Sequence, residues 1–474
     1  MSAPVLWIVF PIFAGAGLFF LRRLYRLTVT LGTALALLLA LLAWQLPIDQ
    51  AVTLGPVSFK LGDTLNVLGR QFTLLDSDRP LVLVIYILAA IWFAPAYTGH
   101  AGRIFVPLGL VITGLLTAVP AVNPFLYAAM LVELIALVGV IMLSRPGQPV
   151  RRGALRFLIF QTLGMPFILF TGWLLTGVEA SPGELALVSR AAILLGIGFA
   201  FWLAIFPFHT WLPMVAEEAH PLAVGFIFLM LPLVVMLFGL GFLDRYAWLR
   251  NAAELNGLLQ LAGVIMVLTG GLWAGFQRHL GRMLGFATMV EIGKALLALS
   301  LPGGLPLFFA MLLPRTVALA VWSLSLTVLQ SYPGLPAPRH LDEGALRGLG
   351  RKLPLATASL SLAHLSIAGL PLLAGFPIML TLSRNLATSS LLVAILTLVG
   401  MVGLLAGGLR SLSVLLTGTD TDPQGWQVYI GKDLNQFEAK YALYQRIASY
   451  LADDDFGFHV NRLFPSDLHQ ICIA

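Results

Sequence analysis

Charge is scarce in this sequence. Asp, Glu, Lys and Arg together make up 11% of its 474 residues, whereas a soluble domain carries about 25%. So little charge cannot cover a water-facing surface on a chain this long. With 59% hydrophobic residues and a mean hydropathy of +0.92, the apolar surface must face lipid. Cysteine is nearly absent too. The single Cys472 excludes a CxxC zinc site, an intrachain disulfide and a cysteine-held iron–sulfur cluster. There is no GxGxxG or Walker-type loop. The chain is therefore expected to hold no cofactor, no metal and no redox centre of its own.

What charge there is leans basic, with a net +6. Lys and Arg sit in short loops between apolar runs, a pattern of membrane topology and not of a nucleic-acid-binding face. About twenty apolar residues cross a bilayer as a helix. Runs of that kind cover 4–21, 25–46, 80–98, 104–120, 123–143, 155–177, 188–211, 222–243, 255–275, 280–300, 305–330, 354–382 and 389–416, which predicts about thirteen transmembrane helices. The expected fold is an all-α membrane protein. Arg22, Arg23 and Arg26 follow the first run instead of preceding it, so that run reads as a retained helix and not a cleavable signal. Between the second and third runs, Val52–Lys60 with Gly55-Pro56 at its turn reads as a small extramembrane hairpin.

Alternate loops hold fourteen and seven Lys and Arg, which places the richer side in the cytoplasm of a plasma (inner) membrane. The N-terminus is then outside and the tail inside. Three regions follow: 1–103, N-terminal helices with the hairpin; 104–417, helical repeats; and 418–474, a polar tail. In the tail, Phe437, Tyr441, Tyr444, Ile447 and Leu451 recur at helical spacing, so one amphipathic helix is expected there.

Two runs are interrupted by proline in corresponding places. The seventh reads IFPFHTWLP, with Pro207 and Pro213; the twelfth reads AGLPLLAGFP, with Pro371 and Pro377. Proline removes a backbone donor and breaks the helix, and lipid offers the freed groups no partner. Five helices separate the breaks, the pattern of two five-helix repeats with discontinuous helices around a mid-membrane ion path. A charge at the bilayer centre costs about 3 kcal/mol or more, so each ionisable residue inside a run is a functional candidate. Glu133 lies mid-run. Glu291 and Lys294 share a helix face at i, i+3 and can pair. Arg315 follows Pro314 and can neutralise Glu133 or Glu291. His364 lies two turns before the second break and reads first as a hydrogen-bonded core histidine and second as a proton relay; His209 lies within the first break, as a helix-end hydrogen-bonder or an access-path residue. Glu217, Glu218 and His220 are expected to border water.

Four stretches carry a family resemblance: NPFLYAAMLVELIAL (123–137), PFHTWLP (207–213), HLGRMLGFATMVEIG (279–293) and LRGLGRKLPLATASLSLAHLSIAGLPLLAGF (346–376). In this order, over roughly 80–410, the chain resembles the antiporter-like membrane subunits of respiratory complex I, Mrp-type cation antiporters and energy-converting hydrogenases. The resemblance implies neighbouring membrane subunits in a hetero-oligomeric complex, a lipid bilayer around them, and protons moved along buried lysines and a glutamate that matches Glu133. The family's lysine positions fall, however, at Trp202, near Pro232, near Leu319 and at or near Met379. Three readings follow: a proton-translocating subunit with a rerouted path, a non-pumping scaffold of the same fold, or a cation/proton antiporter subunit of the Mrp type.

Overall fold

The computed structural model describes residues 2–54, 57–67, 69–145, 147–180, 185–246, 253–333 and 341–417. Met1–Gly418 form one compact unit. The amphipathic helix expected in the tail lies outside the described residues. In chain order the helices are α1 Val5–Phe20, α2 Tyr25–Gln45, α3 Arg79–Phe93, α4 Phe105–Ala121, α5 Ala128–Leu143, α6 Arg152–Ala180, α7 Leu185–Trp202 and α8 Trp211–Glu218. They continue as α9 Pro221–Arg245, α10 Ala253–Phe276, α11 Leu280–Leu299, α12 Leu305–Gln330, α13 Leu349–Lys352, α14 Pro354–Ile367, α15 Phe376–Ser389 and α16 Leu391–Leu416. Among the described residues, eight helical stretches are long and apolar enough to cross a membrane, and four more apolar helices are shorter. The protein is a multi-pass, predominantly helical membrane protein.

The helical fold is decorated by two small sheets. Ala51–Leu54 pairs antiparallel with Val57–Lys60, as the Gly-Pro turn predicts. A second hairpin, Thr64–Val67 with Arg70–Thr73, goes beyond the sequence reading. Its second strand, Arg70–Thr73, also pairs with Val122–Asn123, just after α4, and so lies in the middle of a three-stranded sheet.

Two helices are buried on nearly every side. Residues of α9 are buried almost without interruption from Pro221 to Met236, and those of α11 from Met283 to Ala298. α9 has no polar face, and such a helix has no place at a water surface, while α11 turns its few polar residues, Glu291 and Lys294 among them, inward. Where neighbouring helices come closest, glycine lets the backbones touch, because lipid-solvated helices associate through packing and not through expulsion of water. Along the α10–α16 contact, Gly271 meets Gly400 and Gly275 meets Gly403. A β-carbon on Gly275 would lie 2.9 Å from the Gly403 carbonyl, and one on Gly271 would overlap the Gly400 carbonyl outright. Gly285 does the same for α11 on α8, where a β-carbon would come within 2.8 Å of the Leu212 carbonyl.

Both proline-marked runs are broken. The seventh leaves α-helix after Trp202, turns with Ala204 at a positive φ of 54°, passes a 3-10 turn at Phe208–Thr210 and resumes as α8. The twelfth ends at Ile367, crosses Ala368–Gly375 with Gly369 and Leu372 both near φ +73°, and resumes as α15. This second break starts about a turn earlier than Pro371 alone suggests, because a proline unseats the turn before it.

Candidate functional site at the second helix break

Two cations and one carboxylate meet beside the α14–α15 break. Glu291 and Lys294, one turn apart on α11, form a buried ion pair, with side chains only 4% and 7% exposed. Arg315 approaches from α12 and is 5% exposed. All three line one small cavity, together with Pro314, Ser366 and Gly375. Water centres can occupy about 20 Å³ of it, room for one water molecule.

Proline explains how the cations are held. A helical N–H normally bonds the carbonyl four residues back, and proline has no N–H. Pro371 therefore releases the carbonyl of Ile367, and the Lys294 ammonium donates to that oxygen at 3.1 Å. Pro232, inside α9, releases the carbonyl of Phe228, and the Arg315 guanidinium donates to it at 3.4 Å. Each buried cation is thus seated on a carbonyl that a proline has freed. The Arg315 Nε has no hydrogen-bond partner among the described residues. Glu291 must balance two positive groups, which leaves the cavity one positive charge in excess.

The other candidates lie elsewhere. Glu133, on α5, is half-buried and does not join this cavity. Its Oε1 accepts from the Thr162 hydroxyl of α6 at 2.8 Å, and its Oε2 is unpartnered among the described residues. Of the two acids open to it in the sequence reading, Arg315 shares its cavity with Glu291 and not with Glu133. His209 sits in the first break, stacked on Phe206 with ring centroids 5.4 Å apart, its Nδ1 buried and without a hydrogen-bond partner among the described residues. His364 is in the last turn of α14. Its Nε2 lies 2.8 Å from the Leu404 carbonyl of α16, and its ring stacks on Trp322 at 4.4 Å. Those two contacts fix the ring as part of the α12–α14–α16 packing and outside the cavity lining.

The acidic stretch after the first break is tied to protein. Glu217 pairs with Arg282 at 2.6 Å, and Glu218 accepts from the Gly153 N–H at 2.7 Å. His220 caps α9 by accepting from the Leu222 N–H, and burial pulls its pKa down to about 4 against an opposing hydrogen bond to the Gly99 backbone. The sequence reading also missed a second ion pair, buried on its glutamate side and half-buried on its arginine side. Glu343, from the segment before α13, is bridged by Arg410 at 3.2 Å and by the Ser411 hydroxyl at 2.8 Å, and Arg410 also reaches the carbonyls of Gly275 and Gln277. An arginine within the last apolar run was the available signal.

The family described as "NADH:quinone oxidoreductase/Mrp antiporter, TM" matches residues 182–405, which span both the ion cluster and the two breaks. The match covers just under half of the chain. Relatives include NADH-quinone oxidoreductase subunit N of Ectopseudomonas mendocina, 29% identical over 47% of this chain and 47% of its own. Subunit 14 of the Thermus thermophilus enzyme is 29% identical over 74% of this chain and 80% of its own. The chain thus spans about half the length of the first relative and four-fifths of the second. The same fold occurs in a chain of the archaeal membrane-bound sulfane sulfur reductase, with a TM-score of 0.71 at 17% identity over 95% and 96% of the two chains. It also occurs in a chain of the Mrp complex from Dietzia, with a TM-score of 0.71 at 18% identity over 89% and 81%.

At the positions where the resemblance implies lysine, the structure holds other side chains. Trp202 is fully buried and donates from its indole to the Gln161 carbonyl at 3.1 Å, filling the space beside Gly164. Met379 is buried against Gly369. Leu319 is wholly buried. Pro232 supplies a free carbonyl where the resemblance expects a cation. The first break therefore carries an indole plug, while the second gathers the ionisable groups.

Proposed function

We propose that this chain is a membrane subunit of a complex I-like quinone oxidoreductase assembly and takes part in redox-driven proton translocation. Glu291, Lys294 and Arg315 handle the proton at the second helix break. One observation carries the reading: three ionisable groups at membrane depth line a water-sized cavity, where two prolines have freed carbonyls to hold the cations. Maintaining buried charge in hydrocarbon costs several kcal/mol, and a purely structural core would replace it with apolar side chains. Lys294 is the proton-carrying group, Glu291 its counter-ion and Arg315 the fixed charge beside them. Glu133 and His209 belong to the first-break side, where access from water is the role left to them, and His364 positions α14. The region 104–417 holds the ion-handling helices, with the N-terminus outside and the tail in the cytoplasm.

A scaffold that pumps nothing has one specific observation in its favour, the apolar packing of Trp202 and Met379. The readings separate when the assembled complex is reconstituted into vesicles carrying Glu133→Gln or Lys294→Met and proton uptake is measured per electron. Translocation predicts a lower ratio for Lys294→Met. The same ratio as wild type in both variants makes the chain a scaffold.

A further inference from the structure

We infer that the end of α5 and the start of α6 form a binding site for an anionic phospholipid, whose phosphodiester sits on Arg145 and Arg151 and whose acyl chains run along the two helices below. The site is separate from the cavity at the second break, and the inference holds whether or not the chain moves protons.

The first observation is charge. A small cavity between the α5–α6 loop and α8 is lined by Ser144, Arg145, Gln148, Arg151 and Glu218, among others. Arg145, Arg151, Arg152 and Arg156 are exposed, and among the described residues none of them forms an ion pair or a side-chain hydrogen bond. The acid in the lining, Glu218, already accepts from the Gly153 N–H at 2.7 Å, and Glu217 beside it is taken by Arg282. Burial, and then the Arg151 guanidinium, pull the Arg145 pKa below its ordinary value. Arg152 opens α6, Arg156 follows one turn later, and no acid shares that first turn. A helix N-terminus carries partial positive charge and disfavours cations, and like charges at i, i+4 repel. The corner is short of an anion.

The second observation is what lies below the arginines. α5 exposes Leu137 and Ile141, and α6 exposes Leu155 and Ile159. The two helices touch beside these residues, where a β-carbon on Gly139 would lie 3.2 Å from the Phe157 ring. Ile141 precedes Arg145 by one helical turn and Leu155 follows Arg151 by one turn, so apolar surface begins directly under the cations on both helices. A free phosphate ion or an acidic protein loop would satisfy the arginines and leave that apolar surface bare. A phospholipid satisfies both, because its phosphate and its chains are joined in the same order. The lipid is anionic, since a zwitterionic headgroup brings its own cation and leaves the excess charge unmatched. Each arginine near an anionic membrane surface strengthens binding about fivefold.

The test uses the full chain, in whatever assembly it purifies with, in phosphatidylcholine nanodiscs. A trace of photoreactive lipid is added, either phosphatidylglycerol or phosphatidylcholine with the same diazirine-bearing acyl chain, and adducts are mapped by mass spectrometry. The expected result is labelling of Ile141, Leu155 or Ile159 by phosphatidylglycerol roughly tenfold or more above labelling by phosphatidylcholine. The exposed Ile395 of α16 should be labelled equally by both. Arg145→Gln with Arg151→Gln should abolish the preference, whereas Arg22→Gln with Arg23→Gln, in the loop after α1, should leave it unchanged. Unaltered labelling at Ile395 and native tryptophan fluorescence report folding of each variant. Arg156→Gln alone should weaken the preference about fivefold and covers the case in which the double variant does not fold. Equal labelling by the two lipids overturns the inference, as does a preference that survives the loss of Arg145 and Arg151. Competition by millimolar inorganic phosphate would make a free anion the ligand and overturns it as well. If Ile395 is labelled but neither lipid reaches α5 and α6, protein covers this face and the inference fails.

Discussion

Replacing Glu291 with Gln should be among the most damaging single polar changes in this protein, and the reason is electrostatic. The amide keeps the shape of the side chain but removes the only carboxylate in the cavity, stranding Lys294 and Arg315 together. Breaking a buried pair by removing one partner costs about 3–5 kcal/mol, because the remaining charge is uncompensated. The side chains of Glu291 and Lys294 are at most 7% exposed, so solvent relieves little of it. Lys294 can be removed as well. Glu291→Gln with Lys294→Met deletes both members of the pair, and a buried pair exchanged for neutral groups of similar volume is close to neutral. Arg315 stays behind in both variants, so the recovery should be partial, about 2 kcal/mol or more of coupling. Ten tryptophans report unfolding by intrinsic fluorescence in nanodiscs. The reasoning is refuted if Glu291→Gln unfolds within about 0.5 kcal/mol of wild type, or if the double variant is simply the sum of the two single ones.

Three further outcomes follow from the same geometry. Pro371→Ala restores an N–H that competes with Lys294 for the Ile367 carbonyl; proton uptake per electron should fall while the assembled complex remains intact. Gly400→Leu forces α10 and α16 apart where a β-carbon already has no room, and should destabilise by about 1–3 kcal/mol or prevent folding, read by thermal unfolding and membrane yield. His220, neutral in the fold with a pKa near 4, takes up a proton in the unfolded chain near 6.5. Its contribution is therefore a loss of stability as pH falls from about 6.5 to about 4, with none above that window, and His220→Asn should flatten that part of a stability–pH curve.

Much of this architecture is legible from composition and proline placement. Apolar runs of helix length have few alternatives in a chain so poor in charge, and the closely spaced pairs Pro207/Pro213 and Pro371/Pro377 mark the breaks, whereas the lone Pro232 and Pro314 sit inside continuous α9 and α12. The ion pair at Glu291 and Lys294 follows from i, i+3 spacing. The partners of the cations do not, since they are backbone oxygens on other helices, although counting four residues back from Pro232 and Pro371 names both. The setting of Glu133 is not legible either, since its partner, the Thr162 hydroxyl, lies on another helix. A hydrogen-bonded core histidine is the first reading of His364 from sequence; the partners that hold its ring, Trp322 and the Leu404 carbonyl, lie on other helices and are not legible there. The Glu343–Arg410 pair, and the strand that Val122–Asn123 adds to the second hairpin, join residues far apart in the chain, and no local periodicity encodes them.

The central claim is that ions are handled at the second break and not at the first. It is tested most directly by proton uptake per electron in vesicles holding the assembled complex, comparing Lys294→Met with Trp202→Phe. The account predicts a reduced ratio for Lys294→Met and the wild-type ratio for Trp202→Phe. A wild-type ratio in Lys294→Met, with a reduced one in Trp202→Phe, would contradict it.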